Sequence, residues 1–316
     1  MPETTTAVCR LCPRACGADR RNGKRGYCGA DDRVMVARAA LHMWEEPCIS
    51  GVNGSGAVFF CGCPLHCVYC QNREISGGGG GTEVTVSGLA GIFLKLEAQK
   101  AHNINLVTAG QYTPQAAEAI RLARAKGLTI PIVWNSSGYE NVETLRMLEG
   151  LVDIWLPDFK YMDPELAARL SHAPDYPQIA MAALAEMVRQ AERQAGKENE
   201  GGPELFTDDG MMRRGVIVRH LLLPGHVKQS RQVVEYLLRT YGNRIRISLM
   251  SQYTPMPAVA GDPLLGRRVT RREYDRLVGY ALDLGMEKGF IQERDVAEES
   301  FIPAFDGTGI ADPAGQ

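Results

Sequence analysis

Nine cysteines lie within the first 70 residues of this 316-residue chain, and the rest of the chain contains none. Thiolates bind zinc and iron–sulfur clusters, whereas an odd number of cysteines argues against a disulfide framework. The spacing divides seven of them into C-x2-C-x3-C-x11-C and C-x3-C-x2-C groups, at Cys9, Cys12, Cys16, Cys28 and at Cys63, Cys67, Cys70. The sequence therefore predicts a metal protein.

The second cysteine group directly follows a predicted strand at residues 57–61. Three thiolates on one loop can hold one face of a four-iron cluster, which normally has four cysteine ligands. One iron would stay open, and an open metal position is typical of catalysis. A zinc knuckle or buried thiols are the alternatives. Zinc prefers paired C-x2-C units and a closed fourth position, so the spacing favours iron and sulfur. We expect His66, inside this loop, to make a hydrogen bond and not to bind metal.

The first cysteine group offers four thiols in 20 residues, from Cys9 to Cys28. Four thiolates can close a tetrahedral zinc site or hold an auxiliary 4Fe-4S cluster, and the spacing allows both. Either metal would organise a small region that lacks a core of its own. We expect the two remaining cysteines, Cys48 and Cys61, to be small buried hydrophobic side chains.

Short apolar runs alternate with amphipathic helical patterns beyond residue 56, which predicts a parallel sheet covered on both faces. The predicted strands cover residues 57–61, 105–108, 130–134, 152–156, 216–223 and 245–249. The predicted helices cover residues 87–100, 177–194, 228–241 and 271–284, with two more that begin at Thr113 and Asn141. Six units predict an α/β fold, a partial (β/α)6 TIM-like barrel, with its site at the carboxyl ends of the strands. We assign residues 1–55 to a Cys-rich metal-binding extension, 56–305 to the barrel and 306–316 to a mobile tail.

Composition and charge exclude several classes of protein. A formal net charge of −2 argues against nucleic acid as a partner, and no apolar run is long enough to span a membrane. The first residues lack the basic and apolar regions of a signal peptide, so we expect a cytoplasmic protein. A zinc-ribbon nucleic-acid binder would explain the basic residues between Cys9 and Cys28, but the net charge and the long barrel-like remainder disfavour it.

The cysteine loop after the first strand, with the aromatic Tyr69 before its third cysteine, resembles that of the radical S-adenosylmethionine (radical SAM) superfamily. The resemblance covers residues 56 to about 253. Three further segments are similar to the activating proteins of glycyl-radical enzymes: VWNSSG (133–138), VDIWLPDFK (152–160) and IVRHLLLPG (217–225). The segments CRLCPRACG (9–17), EEPCISG (45–51) and NSSGY (135–139) favour a branch related to the activator of pyruvate formate-lyase.

This resemblance implies a 4Fe-4S cluster on Cys63, Cys67 and Cys70 whose open iron binds S-adenosylmethionine. Reductive cleavage would release a 5′-deoxyadenosyl radical, which abstracts hydrogen from a glycine on a partner protein, a peptide or a small molecule. The electron donor would be a flavodoxin or a ferredoxin. The resemblance also implies cofactor-binding roles, which are contacts with the ribose for Asn135 and Lys160, a carboxylate contact for Arg219, and positions beside the cofactor for Tyr69 and Gly110.

One motif departs from the superfamily pattern. A Gly-Gly-Glu segment often holds the amino group of S-adenosylmethionine, but here residues 107–111 read VTAGQ, without a carboxylate. We expect backbone carbonyls near Thr108 and Ala109 to accept that hydrogen bond instead.

The remaining expectations concern a rival function and other polar residues. The rival is an iron–sulfur or zinc protein with a non-catalytic role in electron transfer or structure. Glu45 and Glu46 are interpreted as a solvated acidic pair. The polar residues that follow the last predicted strand, Ser251, Gln252 and Tyr253, are candidates for contact with substrate or cofactor.

Overall fold

The fold is described by a computed structural model that covers residues 8–196, 202–292 and 303–310. The strands are β1 (Val34–His42), β2 (Ser55–Phe60), β3 (Thr82–Val84), β4 (Ile104–Val107), β5 (Ile132–Ser136), β6 (Ile154–Pro157), β7 (Leu205–Phe206), β8 (Met212–Leu221), β9 (Arg246–Met250) and β10 (Gly289–Ile291). The α-helices are α1 (Pro47–Ser50), α2 (Arg73–Ser76), α3 (Val86–Ala98), α4 (Thr113–Ala125), α5 (Val142–Arg146), α6 (Pro164–Ser171), α7 (Tyr176–Ala195), α8 (Val227–Tyr241) and α9 (Arg271–Asp283).

The strands form one open sheet in the order β10-β9-β8-β6-β5-β4-β2-β1-β3, and β7 pairs with β8. Pairing is parallel from β2 through β10 and antiparallel where β1 contacts β2 and β3. The predicted partial α/β barrel is confirmed, and each of its six predicted strands overlaps a strand of the sheet. A seventh parallel strand, β10, has three residues and offers no readable hydrophobic pattern.

The central strands are mostly apolar because they are buried. Every residue of β2, β4, β5 and β6 is buried. Helix α4 begins at Thr113 with a proline in its first turn, and Gly127, just past its end, has a φ of +104°. Helix α6 was not predicted from the sequence, although Asp163 caps its N-terminus by accepting hydrogen bonds from two backbone N–H groups. No helix in the described ranges is long and apolar enough to cross a membrane.

The first barrel strand of the chain lies inside the predicted Cys-rich extension. β1 pairs with β2 from Val36 opposite Phe60 to His42 opposite Ser55. β1 therefore belongs to the sheet through its pairing with β2 and β3, and residues 8–33 contribute no strand to it. The predicted domain boundary at residue 55 stays a prediction.

The segment 303–310 lies against β1. The backbone N–H of Gly307 donates to the Ala37 carbonyl, and the N–H of Ala39 donates to the Thr308 carbonyl at 2.9 Å. Arg38 adds an ion pair with Asp306 at 3.0 Å. Residues 306–310 of the predicted mobile tail thus contact the sheet, and residues 311–316 lie outside the described ranges.

Candidate active site

A cavity of about 250 Å³ lies at the carboxyl ends of the parallel strands. The loop that follows β2 contributes Cys63, Cys67 and Cys70 to its wall. Strands β5, β6 and β8 carry further polar side chains to the same wall at or just beyond their ends, namely Asn135, Asp158, Lys160 and Arg219. The parallel topology therefore unites residues that are up to 156 positions apart in the chain.

A charged network made of Glu45, Asn135, Asp158, Lys160 and Arg219 crosses one side of this cavity. The Arg219 guanidinium donates from Nε to Asp158 Oδ1 at 3.0 Å, from Nη1 to Glu45 Oε2 at 3.0 Å and from Nη2 to Asn135 Oδ1 at 2.6 Å. Lys160 Nζ donates to Asp158 Oδ2 at 2.6 Å. The network pairs two carboxylates, Glu45 and Asp158, with two cations, Lys160 and Arg219. Its formal charges therefore sum to zero.

The electrostatics of the network follow from this pairing. Burial disfavours the charged forms of all three residues Asp158, Lys160 and Arg219. The two neighbouring cations outweigh burial at Asp158 and hold its pKa below the ordinary value of 3.8. The neighbouring carboxylates likewise raise the pKa values of Lys160 and Arg219. The network therefore keeps two cations available at the cavity wall.

The acidic pair Glu45 and Glu46 is buried, so its interpretation as a solvated pair was wrong. The side chain of Glu45 is 9% exposed, and its Oε1 accepts hydrogen bonds from Asn105 at 3.0 Å and Asn135 at 3.2 Å. Burial raises the pKa of Glu46, and its Oε2 has no hydrogen-bond partner. The chain turns beneath the barrel after β1, and α1 follows there. Pro47 marks the start of α1, but no local pattern indicates that Glu45 points into the barrel.

The cysteine loop is held by backbone contacts with the extension. The N–H of Cys63 donates to the Cys28 carbonyl at 3.2 Å, and the preceding Gly62 has a φ of +91° that L side chains rarely adopt. His66 makes its expected hydrogen bond, between Nε2 and the Tyr27 carbonyl at 3.0 Å. The loop thus has a fixed shape against residues 27 and 28.

The donor set fits a 4Fe-4S cluster better than a single ion. In the part of the chain that the structure describes, no three His, Cys, Asp or Glu side chains converge closely enough to hold one metal ion. Cys63, Cys67 and Cys70 nevertheless line one cavity. A cubane is bound by thiolates that reach different iron atoms, which needs wider spacing than a mononuclear site. Three thiols at one cavity are therefore a suitable set for three of its irons.

The first cysteine group also comes together. Cys9, Cys12, Cys16 and Cys28 line a second, small cavity beside the barrel. These four thiols, like the second group, form no set of three that is close enough to hold one metal ion in the described residues, so the choice between zinc and a cluster stays a prediction from the spacing.

Two basic residues near the first cysteine group, Arg14 and Arg20, have hydrogen-bond partners within the protein. Arg14 donates to the carbonyls of Pro64 at 2.8 Å and Ser171 at 2.9 Å. Arg20 is buried and donates to the Gln111 carbonyl at 2.6 Å. These arginines fasten the extension to the barrel, which weakens the nucleic-acid interpretation further.

The segment that replaces Gly-Gly-Glu leaves the main cavity after Thr108, since Val107 and Thr108 line that cavity and Gly110 and Gln111 do not. Thr108 has a left-handed backbone with a φ of +58°, and the Gln111 side chain donates to the carbonyls of Cys61, Gly62 and Thr108. Gly110 lines a small neighbouring cavity, and its expected place beside the cofactor stays a prediction.

The two backbone carbonyls expected to replace the missing carboxylate already have partners. The Thr108 carbonyl accepts from Gln111 Nε2 at 2.8 Å, and the Ala109 carbonyl accepts from the N–H of Tyr112 at 2.8 Å.

Other residues of the cavity wall were partly foreseen. Gln252 and Tyr253 line it, whereas Ser251 does not. His42 and Trp44 also line it and were missed, because they lie at and just after the end of β1, a strand that runs opposite to its neighbours. Burial, followed by the charges of Arg38 and Arg219, lowers the pKa of His42.

Parts of the chain are similar to known proteins. Residues 51–168 match the family model of a 4Fe-4S single cluster domain. An uncharacterized protein of Methanocaldococcus jannaschii is 28% identical over 288 residues, which cover 87% of this chain and 76% of that protein.

Solved structures with partial similarity include a domain of pyruvate-formate lyase-activating enzyme from Bacteroides vulgatus. It has a TM-score of 0.38 and 14% identity, and the match covers 58% of this chain and 92% of that one. A radical SAM methyltransferase from Sphaerobacter thermophilus has a TM-score of 0.49 and 15% identity over 78% of this chain and 72% of that one. Streptococcus suis SuiB bound to S-adenosylmethionine has a TM-score of 0.46 and 11% identity, and the match covers 74% of this chain and 49% of that one.

Residues 51–168, which include the second cysteine group, are thus similar to a 4Fe-4S single cluster domain, and they lie in a chain with an α/β fold. The resemblance to the radical SAM superfamily and to the activating enzymes of glycyl-radical enzymes is carried by the cysteine loop and by segments 133–138, 152–160 and 217–225.

Proposed function

We propose that this chain is a radical SAM enzyme that abstracts a hydrogen atom from its substrate. The observation that carries the proposal is the cavity, where three thiols of one loop face a balanced network containing Lys160 and Arg219. When bound there, a reduced 4Fe-4S cluster supplies the electron that cleaves S-adenosylmethionine to a 5′-deoxyadenosyl radical. The chain itself binds, orients and shields the cofactors.

The cluster is assigned to Cys63, Cys67 and Cys70, and the polar wall to S-adenosylmethionine. One of the three Nζ donors of Lys160 is bonded to Asp158, so two point to ribose hydroxyls in this proposal. Arg219 uses three of its five N–H donors in the network, and the others suit a carboxylate. Asn135 bonds both Glu45 and Arg219, which fixes its side chain at the wall where this proposal places the ribose. Tyr69 forms part of the wall under the cofactors.

The proposed substrate is a glycine on a partner protein, as the resemblance to activating enzymes implies. Trp44 supports a polypeptide, because this aromatic residue lines the cavity and is 58% exposed. Large aromatic side chains are frequent at protein-binding surfaces. A flavodoxin or ferredoxin would supply the electron in the cytoplasm. Cys9, Cys12, Cys16 and Cys28 would hold zinc or a second cluster.

The test is electron paramagnetic resonance of the anaerobic, dithionite-reduced protein, with and without S-adenosylmethionine, together with measurement of 5′-deoxyadenosine. A 4Fe-4S signal that changes on addition supports the proposal, and an unchanged signal supports the electron-transfer rival. Cys67→Ala should abolish cleavage. Cys61→Ala is the matched control, because Cys61 is fully buried outside the cavity lining and should leave cleavage unchanged. Retained cleavage in Cys67→Ala would contradict the assignment.

A further inference from the structure

Three buried hydroxyl groups form a chain that ends on the sulfur of Cys67. We call this set, Tyr69, Tyr161 and Ser171, the hydroxyl relay. The Tyr69 and Tyr161 hydroxyls are 2.6 Å apart, and the Tyr161 hydroxyl is 2.7 Å from Ser171 Oγ. Ser171 Oγ lies 2.9 Å from Cys67 Sγ. Tyr161 and Ser171 are inaccessible to solvent and Tyr69 is 7% exposed, so water does not compete for these bonds.

The direction of the hydrogen bonds follows from the acceptor at the end. A metal-bound cysteine is a thiolate and can only accept, so Ser171 must donate to Cys67. The oxygen of Ser171 then accepts from Tyr161, and the oxygen of Tyr161 accepts from Tyr69. Each O–H is polarised toward the sulfur, and consecutive hydrogen bonds of one direction strengthen each other.

The backbone fixes the end of the relay against the cysteine loop. Ser171 is the last residue of α6, and its carbonyl accepts from Arg14 Nη2 at 2.9 Å. The adjacent Leu170 carbonyl accepts from the N–H of Val68 at 2.9 Å, next to Cys67. The serine therefore cannot leave the sulfur without breaking contacts on both sides.

We propose that the hydroxyl relay tunes the reduction potential of the cluster bound through Cys67. The inference rests on the proposed function, because it requires that cluster. Hydrogen bonds to cluster sulfurs withdraw electron density and stabilise the more negative, reduced state. The affected step is the uptake of one electron from an external low-potential donor, with no bond made or broken. Ser171 is thus a positioning and tuning residue that touches a ligand of the cluster.

The test is a potentiometric titration of the cluster-loaded full chain, followed by electron paramagnetic resonance. Ser171→Ala should lower the equilibrium constant for one-electron reduction roughly tenfold, which is about 59 mV more negative. Tyr161→Phe should shift the potential in the same direction by less, because Ser171 keeps its bond to sulfur. Ser171→Thr keeps the hydroxyl and should restore the wild-type potential. Ser230→Ala is the control, since Ser230 is equally buried and does not line the cavity.

The outcomes separate this inference from the proposed function. An unchanged or more positive potential in Ser171→Ala, with wild-type iron content, overturns the relay. If Ser171→Ala fails to load a cluster, the Tyr161→Phe titration decides, and an unchanged potential there overturns the proposal. If wild-type protein binds no 4Fe-4S cluster, or Cys67→Ala keeps the wild-type signal, then the proposed function itself fails.

Discussion

Replacing Glu45 by Gln should destabilise the protein by about 3 kcal/mol. Glu45 is one of two carboxylates that balance Lys160 and Arg219, and its side chain is only 9% exposed. The substitution keeps the shape, but it leaves the network with one uncompensated positive charge. If the Gln oxygen accepts from Arg219, its NH2 group also meets the Asn105 and Asn135 donors that Glu45 Oε1 accepts from. Removing one partner of a buried ion pair typically costs about 3–5 kcal/mol, and the remaining pairing with Asp158 favours the low end.

The assay is urea unfolding at pH 7 under anaerobic conditions, followed by tryptophan fluorescence. Trp134 and Trp155 are fully buried, so their emission reports on the core of the barrel. With a denaturant slope of about 1–3 kcal/mol/M, a loss of 3 kcal/mol lowers the urea midpoint by about 1–3 M. Metal content is measured in each sample, so that cluster loss is not counted as a change in the network.

Glu46→Gln is the matched control for Glu45→Gln. Glu46 is the adjacent residue of the same type and is 8% exposed. Burial raises its pKa, so its protonated form, which Gln imitates, is favoured at higher pH than for an ordinary carboxyl group. Its substitution should cost about 1 kcal/mol or less. Equal losses for Glu45→Gln and Glu46→Gln would refute the charge-balance argument.

Three further predictions concern pH and backbone contacts. Burial lowers the pKa of His220 from 6.5 to about 4 in the folded protein. As the pH falls from 6.5 to 5, His220 is therefore protonated in the unfolded chain and stays neutral in the folded protein. Stability should fall by about 2 kcal/mol between pH 6.5 and 5, and urea unfolding of His220→Gln should lack that part of the slope. In Gly62→Ala a Cβ would lie 2.6 Å from the Cys28 carbonyl oxygen, so iron content should fall. In Gly309→Ala a Cβ would overlap with the Ala39 carbonyl oxygen, so hydrogen exchange at β1 should accelerate.

Two glycines provide controls that share the backbone strain without the contact. Gly17 has a φ of +67° with nothing within 4 Å of its added Cβ, and Gly307 has a φ of +77° with its nearest neighbour at 3.9 Å. Gly17→Ala should keep the wild-type iron content, and Gly307→Ala should keep slow exchange at β1. Equal effects in each variant and its control would show that strain, and not the contact, is responsible. An unchanged pH slope in His220→Gln would contradict the histidine argument.

The parallel strands could be predicted because their burial on both faces leaves continuous apolar runs. β4 and β5 are recognised in this way, and the cysteine loop follows the first of the parallel strands as expected. β1 was assigned to the extension because its partner is antiparallel and lies beyond a turn that the local sequence does not specify. Fold class is therefore readable from local pattern, whereas the membership of an edge strand depends on distant pairing.

The residues of the site could also be predicted only in part from the sequence. Asn135, Lys160 and Arg219 follow the ends of parallel strands, so the topology that could be predicted also brings them together. Glu45 reaches them from a turn under the barrel, and no periodicity marks such a turn. Gly110 lies outside the lining of the main cavity, and the left-handed conformation of Thr108 before it is one that β-branched residues rarely adopt and that sequence patterns do not predict.

The hydrogen bonds that Arg14 donates to the carbonyls of Ser171 and His172 have a consequence for synthesis on the ribosome. Residues 8–33 leave the exit tunnel long before α6 is synthesised. Their four thiols are therefore exposed before the carbonyls that Arg14 contacts are available. At about 5–20 residues per second this interval lasts roughly 10–30 s. During that time the nascent chain offers its thiols to metal donors and oxidants alike. Metal delivered to Cys9–Cys28 in this period would reach an open, accessible peptide, and the barrel would later close over it.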